Sequence, residues 1–135
     1  MKIGFTGTQR GMTGPQTTSF SAALLFARLS DSEFHHGDCI GADAEAHEIA
    51  AGLGFKVILH PPVKPDKRAW CQAQIILPMK DYLARNRDIV DATELLIAIP
   101  GEAIEQLRSG TWSTIRYARK IGRKLLIIGP EGLPL

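Results

Sequence analysis

Three groups of residues in this chain have the types and spacing to handle an anionic ligand. The first is His36-Gly37-Asp38-Cys39-Ile40-Gly41-Ala42-Asp43. It reads as the end of a buried strand, a glycine-punctuated turn and the first turn of an alanine-rich helix. Glycine at 37 and 41 removes Cβ where backbone must approach a ligand, and a helix N-terminus offers free N–H groups to phosphate. The second is Gly7-Thr8-Gln9-Arg10, directly after the first strand, where the planar fork of Arg10 suits a phosphate; an ordinary solvated loop arginine fits the spacing equally well. The third is Ser109-Gly110-Thr111-Trp112 at another helix start. Capping by Ser109 alone would explain the serine but not the Gly-Thr that follows.

The same residues carry candidate chemistry. Asp38 and Asp43 would repel phosphate unless one caps the helix or accepts ribose hydroxyls, and Asp43 is the better placed for a ribose; either could serve as a base. His35 and His36 point to opposite faces of a strand, so one at most meets the ligand. Cys39 has a nucleophile's position, but no base is fixed beside it, and the small-buried-residue reading is preferred. Asn86 shares a helical stripe with Tyr82 and Ile89, which obliges it to find a backbone or ligand partner. Arg85 stands next to it. Trp70 and Trp112 could stack on a base, though core packing is the commoner fate. No Gly-x-Gly-x-x-Gly and no Walker loop is present.

The elements that must position these residues alternate strand and helix. Strands are expected at 2–6, 33–36, 55–60, 94–99 and 124–128. Helices are expected from Pro15 to about Leu29, from Gly41 to Gly52, over 80–93 and from Trp112 to Ile121, with a helical reading of 68–77 interrupted by Pro78. Near-continuously apolar strands predict a parallel sheet of about five strands covered on both faces, a doubly wound, Rossmann-like α/β fold in one domain over 1–135. All three glycine turns would then fall at the C-terminal strand ends, where such folds bind ligands.

Composition narrows the partners. A chain of 135 residues, 44% hydrophobic and 22% charged, with net charge +2, is an ordinary globular domain and a poor match to a nucleic-acid-wrapping protein or polybasic membrane binder. No apolar run reaches the roughly 20 residues of a membrane span. With a strand at the very start and only Cys39 and Cys71, without metal-ligand spacing, the expectation is a reduced, cytoplasmic protein with no leader, metal or added cofactor.

Taken together, Gly7-Thr8-Gln9-Arg10, the turn from His36 to Asp43, Arg85-Asn86-Arg87 and Ser109-Gly110-Thr111 resemble the SLOG superfamily, in particular its small YspA/YAcAr-like branch, often carried by phages and bacteria. The superfamily also holds the lonely-guy (LOG) phosphoribohydrolases and the DNA-processing protein A core. The resemblance spans Ile3 to Ile128. It implies a Rossmann-like sheet, a nucleotide or nucleotide-derived ligand at the C-terminal edge, and a homodimer or higher homo-oligomer. LOG-type enzymes cleave the N-glycosidic bond of a nucleoside 5′-monophosphate with an arginine and with the glutamate of Pro-Gly-Gly-x-Gly-Thr-x-x-Glu. Here Pro100-Gly101 is separated from Gly110-Thr111 by an insertion, and Thr114 stands where the glutamate would be. Arg85 matches the family arginine by its place on the helix before the fourth strand. Asp43 or Asp38 would have to supply the carboxylate. The alternatives are a non-catalytic sensor or sponge for a nucleotide signal and, disfavoured by the low charge, a single-stranded DNA-binding protein.

Overall fold

Alternation within single strands decides the layering. In β5 (Leu95–Ile99), Ile97 and Ile99 point into one apolar cluster while Leu96 and Ala98 point into two clusters on the opposite face. Both faces of the sheet must therefore be covered. The computed structural model, which describes residues 1–135, shows how. The elements run β1 (Lys2–Gly7), α1 (Gly14–Ala27), β2 (Glu33–His36), α2 (Ala42–Gly52), β3 (Lys56–Leu59), a short 3₁₀ turn (Pro65–Lys67), β4 (Ile75–Ile76), α3 (Tyr82–Asp91), β5, α4 (Gly110–Lys120) and β6 (Lys124–Ile127). α1 and α2 pack Phe20, Leu24, Ala42, Ala46 and Ala50 against Ile3, Phe5 and Phe34 of the sheet. α3 and α4 supply Ile89, Val90, Trp112, Ile115 and Ala118 to the other face. Phe5, Phe20 and Phe34 meet with ring centroids 5.2 to 6.0 Å apart, within the range of favourable aromatic pairs.

The sheet is wholly parallel, in the order β4-β3-β2-β1-β5-β6. The chain starts in the middle, winds outward through β2, β3 and β4, then returns to the other side of β1 for β5 and β6. The point where the order reverses lies between β1 and β5, and their C-terminal ends part there to leave a crevice.

The expected doubly wound fold is thus present with six strands rather than five. The helical reading of 68–77 is corrected: this stretch is extended and ends in β4. Ile75 and Ile76 are β-branched and pair with Ile58 and Leu59. Before them, Ala69 N–H donates to the Asp38 carbonyl and Cys71 N–H to the Asp38 carboxylate, which holds the backbone away from a helix. Helix ends differ by about a turn or less. α1 begins at Gly14, capped by Thr13, which forms a capping box with Gln16, and ends at Ala27 because Arg28 is extended. α4 starts at Gly110, before Trp112, because Ser109 caps it.

Candidate functional site

The crevice is a cavity of about 390 Å³ at the switch point, the size of a small-ligand pocket. The loop after β1 supplies Thr6, Gly7, Thr8, Gln9 and Arg10. The turn after β2 supplies Gly37 and Cys39, with Asp43 from α2. α3 supplies Tyr82, Arg85, Asn86 and Ile89. The loop after β5 supplies Gly101 and Glu102, and the start of α4 supplies Ser109, Gly110 and Thr111.

α4 presents its N-terminus as the sequence suggests. The Ser109 hydroxyl accepts from Trp112 N–H, so capping is real. The N–H groups of Gly110 and Thr111 have no acceptor in the protein and border the cavity. Two free amides at the positive end of an eleven-residue helix make a receptor for negative charge.

The turn after β2 works differently from the sequence expectation. Its amides from Gly37 to Ile40 are already spent. Gly37 and Cys39 N–H both donate to Asp43 Oδ2, each at 3.1 Å; Asp38 N–H donates to His36 Nδ1 at 3.0 Å; Ile40 N–H donates to the Lys67 carbonyl. Ala42 N–H donates to the Thr8 carbonyl. The protein's own carboxylate fills the Gly37–Cys39 part of the cradle that was expected to take phosphate. What the turn presents to the cavity is therefore Asp43. Its Oδ1 has no protein partner and is not sealed away. Burial raises the Asp43 carboxyl to about 6, against the lowering effect of nearby Arg85 and the Cys39 and Gly37 amides.

Arg85 is the second buried charge. Its Nη1 donates to the carbonyls of Gly37 at 2.6 Å and His60 at 3.2 Å, and its Nε donates to Asn86 Oδ1 at 2.7 Å. The remaining Nη2 has only the Cys39 sulfur, at 3.6 Å. The guanidinium is buried, lies beside the Tyr82 ring and has no carboxylate within ion-pair distance. Gly37 is required here because a Cβ would collide with this guanidinium. Gly41 is required for another reason. Its φ is +84°, and a Cβ would run into the backbone of Gln9.

At the mouth, Arg10 pairs with Glu102 at 2.8 Å, both substantially exposed. Gln9 Nε2 donates to the Tyr82 hydroxyl at 2.8 Å, and that hydroxyl lies 3.6 Å from Cys39 Sγ. Burial pushes the Cys39 thiol up, so it is a neutral, inert wall residue rather than a nucleophile.

The structure thus gathers Gly7, Thr8, Gln9, Arg10, Gly37, Cys39, Asp43, Arg85, Asn86, Ser109, Gly110 and Thr111 around one cavity. Four residues expected with them lie elsewhere. Gly41 shapes the turn from behind. Trp112 is in the core with Ala98, Ile115 and Ile127. Asp38, at φ +54° and fully buried, binds Arg68 Nε at 2.8 Å and the Cys71 amide at 2.9 Å, which staples the excursion before β4 onto the turn. His36 turns under α2. Burial and the neighbouring histidines hold its ring neutral. Since Nδ1 accepts from Asp38 N–H, the proton sits on Nε2 and is donated to His47 Nδ1 at 2.9 Å. Donor atoms of His36, His47 and Cys71 lie within 4.8 Å of one another. That tautomer gives His36 Nε2 no lone pair for a metal; His36 and His47 form a hydrogen-bonded pair. Trp70 is outside the cavity too, stacked 3.9 Å from Arg68.

Tyr82, Ile89, Thr6, Gly101 and Glu102 were not anticipated as a ligand-lining set. Tyr82 and Ile89 had a signal in the stripe they share with Asn86. Glu102 had one in its place just after Pro100-Gly101.

No protein-family model and no curated protein sequence matches the chain. Solved structures do. A molybdenum cofactor binding protein from Rippkaea orientalis is similar with TM-score 0.73 and 20% identity, over 95% of this chain and 76% of that one. The structural-genomics target TM1055 gives 0.66 and 14%, over 94% and 73%. DNA processing protein A from Helicobacter pylori, described for its single-stranded DNA binding mode, gives 0.62 and 21%, over 94% of this chain and 64% of that one. At these identities the likeness is one of fold. The chain is a parallel, doubly wound α/β protein with a polar crevice at its switch point, and its fold is the one that the SLOG resemblance implies. No helix is long and apolar enough to cross a membrane.

Proposed function

We propose that the chain binds a phosphorylated nucleoside, or a ligand derived from one, in the crevice between β1 and β5, and that Asp43 acts on its sugar. The observation that carries this reading is Arg85, a buried guanidinium without a carboxylate partner, in the same cavity as two unpaired amides of α4. A buried charge is costly unless paired, and an anionic group on the ligand supplies the partner. Phosphate sits on Gly110 and Thr111 with Arg85 as its clamp; Arg10, once released from Glu102, closes from the mouth.

The chemistry that fits is hydrolysis of an N-glycosidic bond. Departure of the base leaves an oxocarbenium-like sugar. Asp43, held by two amides with Oδ1 free, offers a fixed negative charge to that transition state. Its carboxyl at about 6 also suits a general base near neutral pH. Glu102 is the other carboxylate on the cavity wall. The similarity to proteins described as binding a molybdenum cofactor and single-stranded DNA supports a phosphate-bearing ligand in general terms.

The second reading is a sensor that binds without turnover. It is favoured by Thr114, which replaces the motif glutamate and spends its hydroxyl on the Gly110 carbonyl at 2.9 Å. Mass spectrometry after incubation with nucleoside mono-, di- and cyclic phosphates separates the two. Free base with ribose 5-phosphate establishes the hydrolase, unchanged retained nucleotide establishes the sensor, and retention of no panel member refutes the crevice as a nucleotide site.

A further inference from the structure

The crevice does not end at Asn86. On the far side of that residue a second cavity of about 280 Å³ opens between α3 and α4. Asn86 lines both cavities. Its Oδ1 is occupied by Arg85, whereas its amide N–H groups have no partner in the protein. The second cavity is walled by Arg87, Arg116 and Lys120 and by no acidic residue. The acids nearby are already committed: Glu105 to Arg116 at 2.9 Å and Asp91 to the Tyr117 hydroxyl at 2.7 Å. Arg87, its guanidinium 5.3 Å from the Tyr117 ring centre, and Lys120 take part in no ion pair. Contrast the primary crevice, whose wall also carries the carboxylates Asp43 and Glu102. At 1.5 Å per residue, Lys120 lies about 15 Å along α4 from Gly110. This is a path for a ligand longer than a mononucleotide.

We propose that the α3–α4 groove is a second phosphate subsite, continuous with the first, and that the natural ligand is dinucleotide-sized. One phosphate sits at Arg85 and the α4 N-terminus; the next lies between Arg87 and Lys120, and Asn86 donates to the bridge. This rests on the crevice being a nucleotide site.

The test is isothermal titration of the intact protein, and of an Arg87→Gln/Lys120→Gln variant, with a nucleoside 5′-monophosphate and with its 5′-phosphorylated dinucleotide at one fixed salt concentration. Both side chains are exposed, and the circular dichroism spectrum of the variant should match that of the wild type. The dinucleotide should bind about five- to tenfold more tightly than the mononucleotide, as two solvent-exposed charge contacts allow. The variant should lose that gain and keep its mononucleotide affinity. Equal affinities for the two ligands, or a gain that survives in the variant, overturn the subsite. A long single strand that binds far more tightly than the dinucleotide, with steeper salt dependence, overturns the limit on ligand size. Failure of the mononucleotide itself to bind refutes the primary crevice instead.

Discussion

Asp43→Asn separates the carboxylate's charge from its shape. In the native protein Oδ2 accepts two amide hydrogen bonds, and an asparagine oxygen can accept the same two. What the substitution removes is the ionisation. Burial raises this carboxyl from 3.8 to about 6. The folded state therefore binds more protons than the unfolded chain between those values, and folding stability falls as pH rises through that window. At about 1.4 kcal/mol per pH unit the full displacement corresponds to about 3 kcal/mol, present as a penalty above pH 6 and absent below pH 4. The variant escapes it. Urea denaturation of both proteins, followed by tryptophan fluorescence from pH 4 to 7.5, should give a stability difference that grows in favour of the variant by about 2–3 kcal/mol and levels off above pH 6.5. Taking the difference cancels the titration of the other carboxylates. A difference that is flat across this range would refute the reasoning, because it would mean that Arg85 and the two amides cancel the cost of burial.

Other expectations follow from the same contacts. If the crevice hydrolyses a nucleotide, kcat/KM should rise with pH through about 6 as Asp43 ionises, and Asp43→Asn should abolish that limb of a steady-state pH profile. Arg85→Lys keeps the charge but cannot serve Gly37, His60 and Asn86 together, so nucleotide affinity measured by titration calorimetry should drop about tenfold or more. Arg68→Met strands the fully buried Asp38 carboxylate and should cost about 3–5 kcal/mol in chemical denaturation; hydrogen exchange of the Ala69 and Cys71 amides should quicken with it. Gly41→Ala must hold a φ of +84° and push back the Gln9 backbone, a loss of at least about 1–3 kcal/mol that a thermal melt will register.

Most of the architecture was legible because it depends on patterns a single chain carries. Apolar strands, alanine-rich or amphipathic helices and glycine turns at one end of each strand define a doubly wound sheet and put its crevice at the switch point. The Ser109-Gly110-Thr111 start was legible for the same reason, since capping is local. The sixth strand was not. Ile75 and Ile76 form a strand only because β3 offers an open edge and Asp38 extends the chain ahead of them, and neither is visible in the local sequence.

The functional turn shows the deeper limit. Glycines and a helix start describe an anion cradle equally well whether the anion comes from outside or from the chain itself. Asp43 stands close enough to take the Gly37 and Cys39 amides, and it does. This reverses the roles the residues would otherwise have. The turn holds a carboxylate still, with one oxygen free of protein partners, at the cavity wall, while Arg85 on α3 and the amides of α4 are left without anionic partners. A nucleotide with its phosphate on that side and its sugar toward Asp43 answers both unpaired positive groups and the fixed negative one at once. A neutral ligand of the same size answers neither, and for that reason charge is the property by which this crevice should select.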